Sequence, residues 1–424
     1  MTAAMASGSL CGRILKTMRR APVFRHGKPL LLGCLLLAAS GLGAEGDDWP
    51  RWRGPAGNGI SAETQWNPAA VNSHPRMIWK ASVGTGFASV AVRGPRIYTL
   101  GNEDGKDTVF CLETETGKVV WTYSYPCGQG AYPGPRATPA VDEGFVYTLS
   151  REGHIFCLDA ETGKPRWARH LVKDFRAAPP TWDFAGSPVI SGSRLILNAG
   201  ESGIALDKMS GERLWGSGGG PGGYATPVLA EISGKPAVVL FRRHSVAAVD
   251  PASGAELWSI PWRTESDVNA ADPLVIGNSV FVASAYGRGC ALYDVGGGRP
   301  RELWKSGAFG THFSSFVSMD GYIYGVDGDA RQFGSGTLRC LEARTGKEAW
   351  SSRTGFGSLI AVGKRLIVLN SAGVLITAEA TPAAYREIAR GPLPRSQYWT
   401  PPAFSRGILY VRNLRGDLFA IDMR

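Results

Sequence analysis

Residues 157–167 read CLDAETGKPRW, and the phrase recurs along the chain. CLETETGKVVW stands at 111–121 and CLEARTGKEAW at 340–350; looser copies, ALDKMSGERLW and AVDPASGAELW, stand at 205–215 and 248–258. One copy explains the pattern. Ile155-Phe156-Cys157-Leu158 is a β-prone run. Asp159 can bond the backbone two residues on, and Gly163 supplies the positive φ that a tight turn needs. A second run ends in Trp167. The phrase is a β-hairpin, and its Trp has the apolar area to pack against a neighbouring unit.

Each hairpin has a front half. ATPAVDEGFVYTLS at 137–150, GSPVISGSRLIL at 186–197 and GSLIAVGKRLIVL at 357–369 each read as two short strands around a Gly-containing turn. Four antiparallel strands make a unit. The closing aromatics are Trp79, Trp121, Trp167, Trp215, Trp258, Trp304 and Trp350, with gaps of 42, 46, 48, 43, 46 and 46 residues. Four strands in about 40–45 residues is the signature of a propeller blade. A seventh body, 357–388, ends in a degraded hairpin with Ile388 in place of Trp. An eighth, from Thr400 to Asp422, has three strands, and Arg76–Lys80 is a fourth strand without its first three. Together they close an all-β, eight-bladed ring, pairing the N-terminal strand with the C-terminal blade and leaving no unpaired end.

The net charge of +10 reflects the first 44 residues, which hold six of the 46 basic residues and no acid. The remainder balances 40 basic against 36 acidic residues, +4, too even for a nucleic-acid partner. Arg19, Arg20, Arg25 and Lys28 precede an apolar run, Leu30–Ala39, and then small residues to Ala44. This reads as an export signal over 1–44, starting at Met1 or Met18, too short for a membrane span. Cleavage near Ala44 is expected, with lipidation at Cys34 or an uncleaved anchor as alternatives. The expected mature protein is a periplasmic or extracellular monomer, possessing a strap or partner-binding segment at 45–75 and the propeller at 76–424.

Five cysteines follow the signal, an odd number at irregular spacing and so not a disulfide framework. Cys111, Cys157 and Cys340 share one repeat position and read as small buried filler. No CxxC, CxxCH or zinc-type cluster appears in the sequence.

The A-x-D-x-x-T-G-x-x-x-W phrase resembles the repeat of the pyrroloquinoline-quinone (PQQ) propeller proteins over residues 76–424. That resemblance implies two functional branches: PQQ-dependent alcohol dehydrogenases, and non-catalytic propellers that include the BamB subunit of the outer-membrane barrel-assembly machine. DWPRWRGP at 48–55, PWRTESDVNAADP at 261–273, AYGRGCAL at 285–292, THFSSFVSMDGYIYGVDG at 311–328 and TPPAFSRGILYVRN at 400–413 resemble a narrower group of exported bacterial PQQ-like propellers. The dehydrogenase branch implies a vicinal Cys-Cys pair near the cofactor, which this chain lacks. The first expectation is therefore an envelope binding or scaffold protein, and the second a PQQ- or quinone-dependent dehydrogenase with Ca²⁺ in its mouth.

In a propeller the loops entering the innermost strands converge, and here those loops differ while the hairpins repeat. Trp182 and Trp399 are candidates to stack on a planar ligand or to pack the loops. His312 is a candidate base, ligand or structural hydrogen-bonding group. Arg395 joins them as a polar candidate. Asp267 and Asn269, two apart, suit a hard cation such as Ca²⁺ or an Asx-turn pair. The expected occupant of this mouth is an envelope protein or a small ligand, with PQQ and Ca²⁺ as the cofactors if it is a quinone.

Overall fold

Eight four-stranded antiparallel blades follow one another along the chain, one of them extended by a fifth, parallel strand, Ile60–Ser61. The computed structural model describes residues 47–216, 219–331 and 334–424. The expected export signal, with Met18 and Cys34, lies outside these residues. Blade 1 comprises Ala91–Arg93, Arg96–Glu103, Lys106–Glu113 and Val119–Pro126, from axis to rim. Blades 2 to 7 repeat this order, with inner strands at Ala140–Asp142, Val189–Ser191, Val228–Ile232, Leu274–Ile276, Val317–Met319 and Gly357–Val362. Blade 8 comprises Ala403–Ser405, Ile408–Arg412 and Asp417–Asp422, and its rim strand is Met77–Ser82, paired antiparallel with Asp417–Asp422. The inner strands of blades 1 and 8 are neighbours, so the ring is closed.

The repeated phrase is a latch between blades. Asp159 Oδ1 accepts from the Thr162 N–H at 2.8 Å and the Thr162 hydroxyl at 2.7 Å, which folds the turn. Gly163 follows at φ +71°, and a Cβ there would lie 2.5 Å from the Trp121 ring of the preceding blade. The Trp121 indole N–H donates to Ala160 O at 2.9 Å in the same turn. Trp79, Trp167, Trp215 and Trp304 cap Gly117, Gly211, Gly254 and Gly346 in the same way, each with its indole bonded to that turn. A bulge just before each Trp shifts the register by one residue, and the Trp then pairs in the ladder, as Trp167 does with Cys157 and Trp121 with Cys111. The register of blade 7 corrects one expectation. Ala389, not Ile388, occupies the Trp position, because Ile388 falls in the bulge. The small Ala389 leaves room at the seam. Pro68–Ala70 and the fully buried Val71 pack there, and Thr377 Oγ1 donates to Pro68 O at 2.8 Å.

A second set of bonds ties the blades near the axis. The backbone N–H of Ser89 donates to Thr138 Oγ1, that of Thr138 to Ser187 Oγ, and that of Ser187 to Thr226 Oγ1. The Thr226 N–H donates to Asp272 Oδ1, and the Asp272 N–H to Ser315 Oγ. Each is the residue just ahead of an inner strand, so its side chain satisfies the otherwise orphan N–H of the blade before. Asp272 is the member of this belt with a carboxylate, and the N-terminal segment attaches to it.

That segment enters the axial channel from the side of the first-to-second strand turns. Asp48 accepts from Gly94 N–H in the turn of blade 1. Trp52 reaches the belt, where its indole donates to Asp272 Oδ2 at 2.6 Å, and Arg53 lies 3.8 Å from the same carboxylate. Ile60–Ser61 pairs in parallel with the inner strand of blade 7, and Glu63 accepts from Arg406 and Gly407 N–H in the turn of blade 8. Residues 48–63 thus plug the ring. Cavities of about 20 and 10 Å³ remain beside Trp52, and a water needs about 10–15 Å³. Trp52→Phe keeps the ring but removes the donor to a buried carboxylate. It should cost about 1.5–3 kcal/mol, read as a lower urea midpoint with unchanged slope; a midpoint equal to the parent's would show that the plug is not anchored there.

Candidate functional site

The loops into the inner strands share a face with the turns between second and third strands, because antiparallel strands alternate direction. This face is the mouth. His312, after blade 5, sits 2.9 Å by Nε2 from the hydroxyl of Tyr286, in the second-to-third turn of blade 5. Its Nδ1 lies 3.6 Å from Asp329 Oδ1, in the equivalent turn of blade 6. Arg331 grips Asp329 at 2.6 Å by Nη2, and its guanidinium stacks 4.2 Å over the Tyr286 ring. Tyr286 has φ +61°, a strained value for a bulky residue. Burial, then the Asp329 charge, pushes its phenol up to about 12. Burial lowers His312, which favours the neutral imidazole.

An aromatic row continues inward. The His312 ring is 4.9 Å from Phe313, which is 5.4 Å from Trp399, which stacks on Phe87 at 5.8 Å. His312 and Trp399 therefore share one cluster, bridged by Phe313, a residue outside the expected site. Trp182 lies elsewhere on the mouth, edge-on to Tyr132 at 5.6 Å, and the pair is 39% and 44% exposed. Arg395 is exposed on the loop after blade 7.

Asp267 and Asn269 are held apart in role. Asp267, at φ +56°, turns its carboxylate to Arg243 at 2.6 Å and His244 at 2.9 Å, in the second-to-third turn of blade 4. Asn269 is fully buried. Its amide donates to Arg242, Arg243 and Trp262 carbonyls, and its oxygen accepts from Thr264 and Ser284 hydroxyls. One carboxylate is already neutralised and the amide is saturated, so the two offer no shared oxygen face to Ca²⁺. With the axis plugged behind the mouth, these residues do not fit a PQQ–Ca²⁺ pair.

A family model described as outer membrane protein assembly factor BamB matches residues 128–352, just over half of the chain. The chain belongs to this BamB family. Among solved structures, BamB from Moraxella catarrhalis is similar at 18% identity and a TM-score of 0.63, covering 82% of this chain and 100% of that one. Quinohemoprotein alcohol dehydrogenase from Comamonas testosteroni is similar at 14% identity and 0.64, over 89% and 81%. The computationally designed Ika8 protein is similar at 14% and 0.58, over 80% and 98%. At these identities the BamB-family propeller shares a fold with all three, and the fold serves binding proteins, enzymes and a design alike. No curated protein sequence matches the chain.

Proposed function

We propose that the protein is an exported propeller of the bacterial cell envelope that binds other envelope proteins through its mouth. The observation that carries this reading is the exposed Tyr132–Trp182 pair on the mouth face, with the axis plugged behind that face. Trp is favoured at protein-interface hot spots, and small-ligand sites are concave and enclosing. Trp182 and Trp399 are its anchors, and His312 and Arg395 belong to its polar surround. Membership of the BamB family supports the same class of role.

The test places a photo-crosslinking residue at position 182 of the full chain in cells, and at position 161 in a third-to-fourth turn on the opposite face. Discrete envelope-protein adducts are expected from 182 alone. In binding assays with the partner so identified, Trp399→Ala should cost about 2 kcal/mol, roughly thirtyfold in affinity. Equal adducts from both positions would reject the mouth. Dye reduction with alcohols by the purified chain given PQQ and Ca²⁺ would reject the binding class in favour of a quinone-dependent dehydrogenase.

A further inference from the structure

Outward from the axis, in the seam between blades 1 and 2, three donors from two stretches of chain come together. Cys127 follows the rim strand of blade 1, Glu152 lies in the second-to-third turn of blade 2, and His154 opens the third strand of that blade. Their ligand atoms all lie within 4.8 Å of one another. Four-coordinate zinc with bonds of about 2.0–2.3 Å needs donors roughly 3.3–3.8 Å apart, so small side-chain movements suffice. Cys127 is a free thiol and 2% exposed. It is also the described cysteine that lies outside the third strands of the blades, so the filler role of Cys111, Cys157 and Cys340 does not explain it.

The surroundings of this trio point to a missing partner. Asp107 is fully buried against Cys127; its Oδ1 accepts from the Asn102 amide at 2.7 Å, and no group meets its Oδ2 in strict hydrogen-bond geometry. The buried Tyr125 hydroxyl faces the same carboxylate, likewise outside strict hydrogen-bond geometry. Buried polar atoms are nearly always satisfied, and each exception calls for an explanation. His154 Nδ1 is 3.1 Å from Ser150 Oγ, which orients the ring. Glu152 Oε1 accepts from Gly128 N–H and from Arg151.

We propose that Cys127, Glu152 and His154 form a binding site for a zinc-type divalent cation, with a fourth position open to water. The mixed sulfur, nitrogen and oxygen set suits a borderline ion rather than Ca²⁺ or Mg²⁺, which take oxygen alone. The bound cation neutralises the thiolate and gives the Asp107 carboxylate a counter-charge across it. This site is distinct from the mouth cluster and does not rest on the binding role.

The test uses the purified full chain, stripped with chelator and titrated with Co²⁺ and then Zn²⁺. One equivalent of Co²⁺ should raise a near-ultraviolet thiolate-to-cobalt charge-transfer band, Zn²⁺ should bleach it, and the melting temperature should rise with bound metal. Cys127→Ser should abolish the band and His154→Gln should weaken Zn²⁺ binding by tenfold or more. His74→Gln, at an exposed histidine, should change neither. A folded parent chain without the band overturns the proposal, whatever the variants do. A band that survives Cys127→Ser overturns it equally.

Discussion

Trp167→Ala and Gly163→Val should each lower the melting temperature sharply, with no change at the mouth. Trp167 is 7% exposed and fills the seam between blades 2 and 3, and removing a buried Trp costs about 3–5 kcal/mol. Gly163→Val combines two penalties. A side chain held at φ +71° is strained by about 1–3 kcal/mol, and the new Cβ overlaps the Trp121 ring, an overpacking of about 1–3 kcal/mol more. Gly144→Val is the control, because Gly144 has φ +80° with nothing within 4 Å of a Cβ. The excess of Gly163→Val over Gly144→Val in urea melts measures the latch alone. Equal losses would show that Trp121 yields without cost, and parental melts for Trp167→Ala and Gly163→Val would remove the latch from the account.

Deleting residues 401–424 should abolish the soluble folded protein. It removes three strands of blade 8 and leaves Met77–Ser82 as an unpaired strand. It also removes Arg412, which is buried and donates to carbonyls of Ala88, Leu100 and Gly84 in and beside blade 1. Burial without a carboxylate beside it pushes that guanidinium down to about 9, so its place depends on those carbonyls. Glu63 loses its bonds to the turn of blade 8, which releases the outgoing arm of the plug. Two exposed sheet edges should then drive aggregation. Gel filtration and a thermal scan decide the matter: a monomer that melts cooperatively would show that ring closure is dispensable.

The latch was legible in the sequence because its chemistry is local. Asp159, Gly163 and Trp167 occupy fixed offsets, and each does in the structure what its residue type dictates. Closure was legible because Arg76–Lys80 and 400–422 are complementary fragments. The path of residues 48–63 was not, since those residues show no strand period and Trp52 finds its acceptor 220 residues away. The mouth was legible only in outline. Spacing suggested that Asp267 and Asn269 act together, but a left-handed residue at 267 sends the carboxylate to Arg243 and His244 while Asn269 is enclosed. His312 and Trp399 do share a cluster, through Phe313. The Cys127 group escaped notice because its members belong to two blades. The one hint was a cysteine off the repeat position.

The pairing of Met77–Ser82 with Asp417–Asp422 also sets a timetable. Met77 pairs with Ile421, and at about 5–20 residues per second the ribosome takes roughly 20–70 s to make the chain between them. For that interval the earliest strand of the ring exists without its partner. Blades 1 to 7 can form in succession behind it, each from neighbouring sequence, but the final seam cannot. The nascent chain therefore passes through an open arc with a lone apolar strand at its leading end. Any factor that shields Met77–Ser82 during synthesis or transport should raise the yield of native protein without touching its final stability.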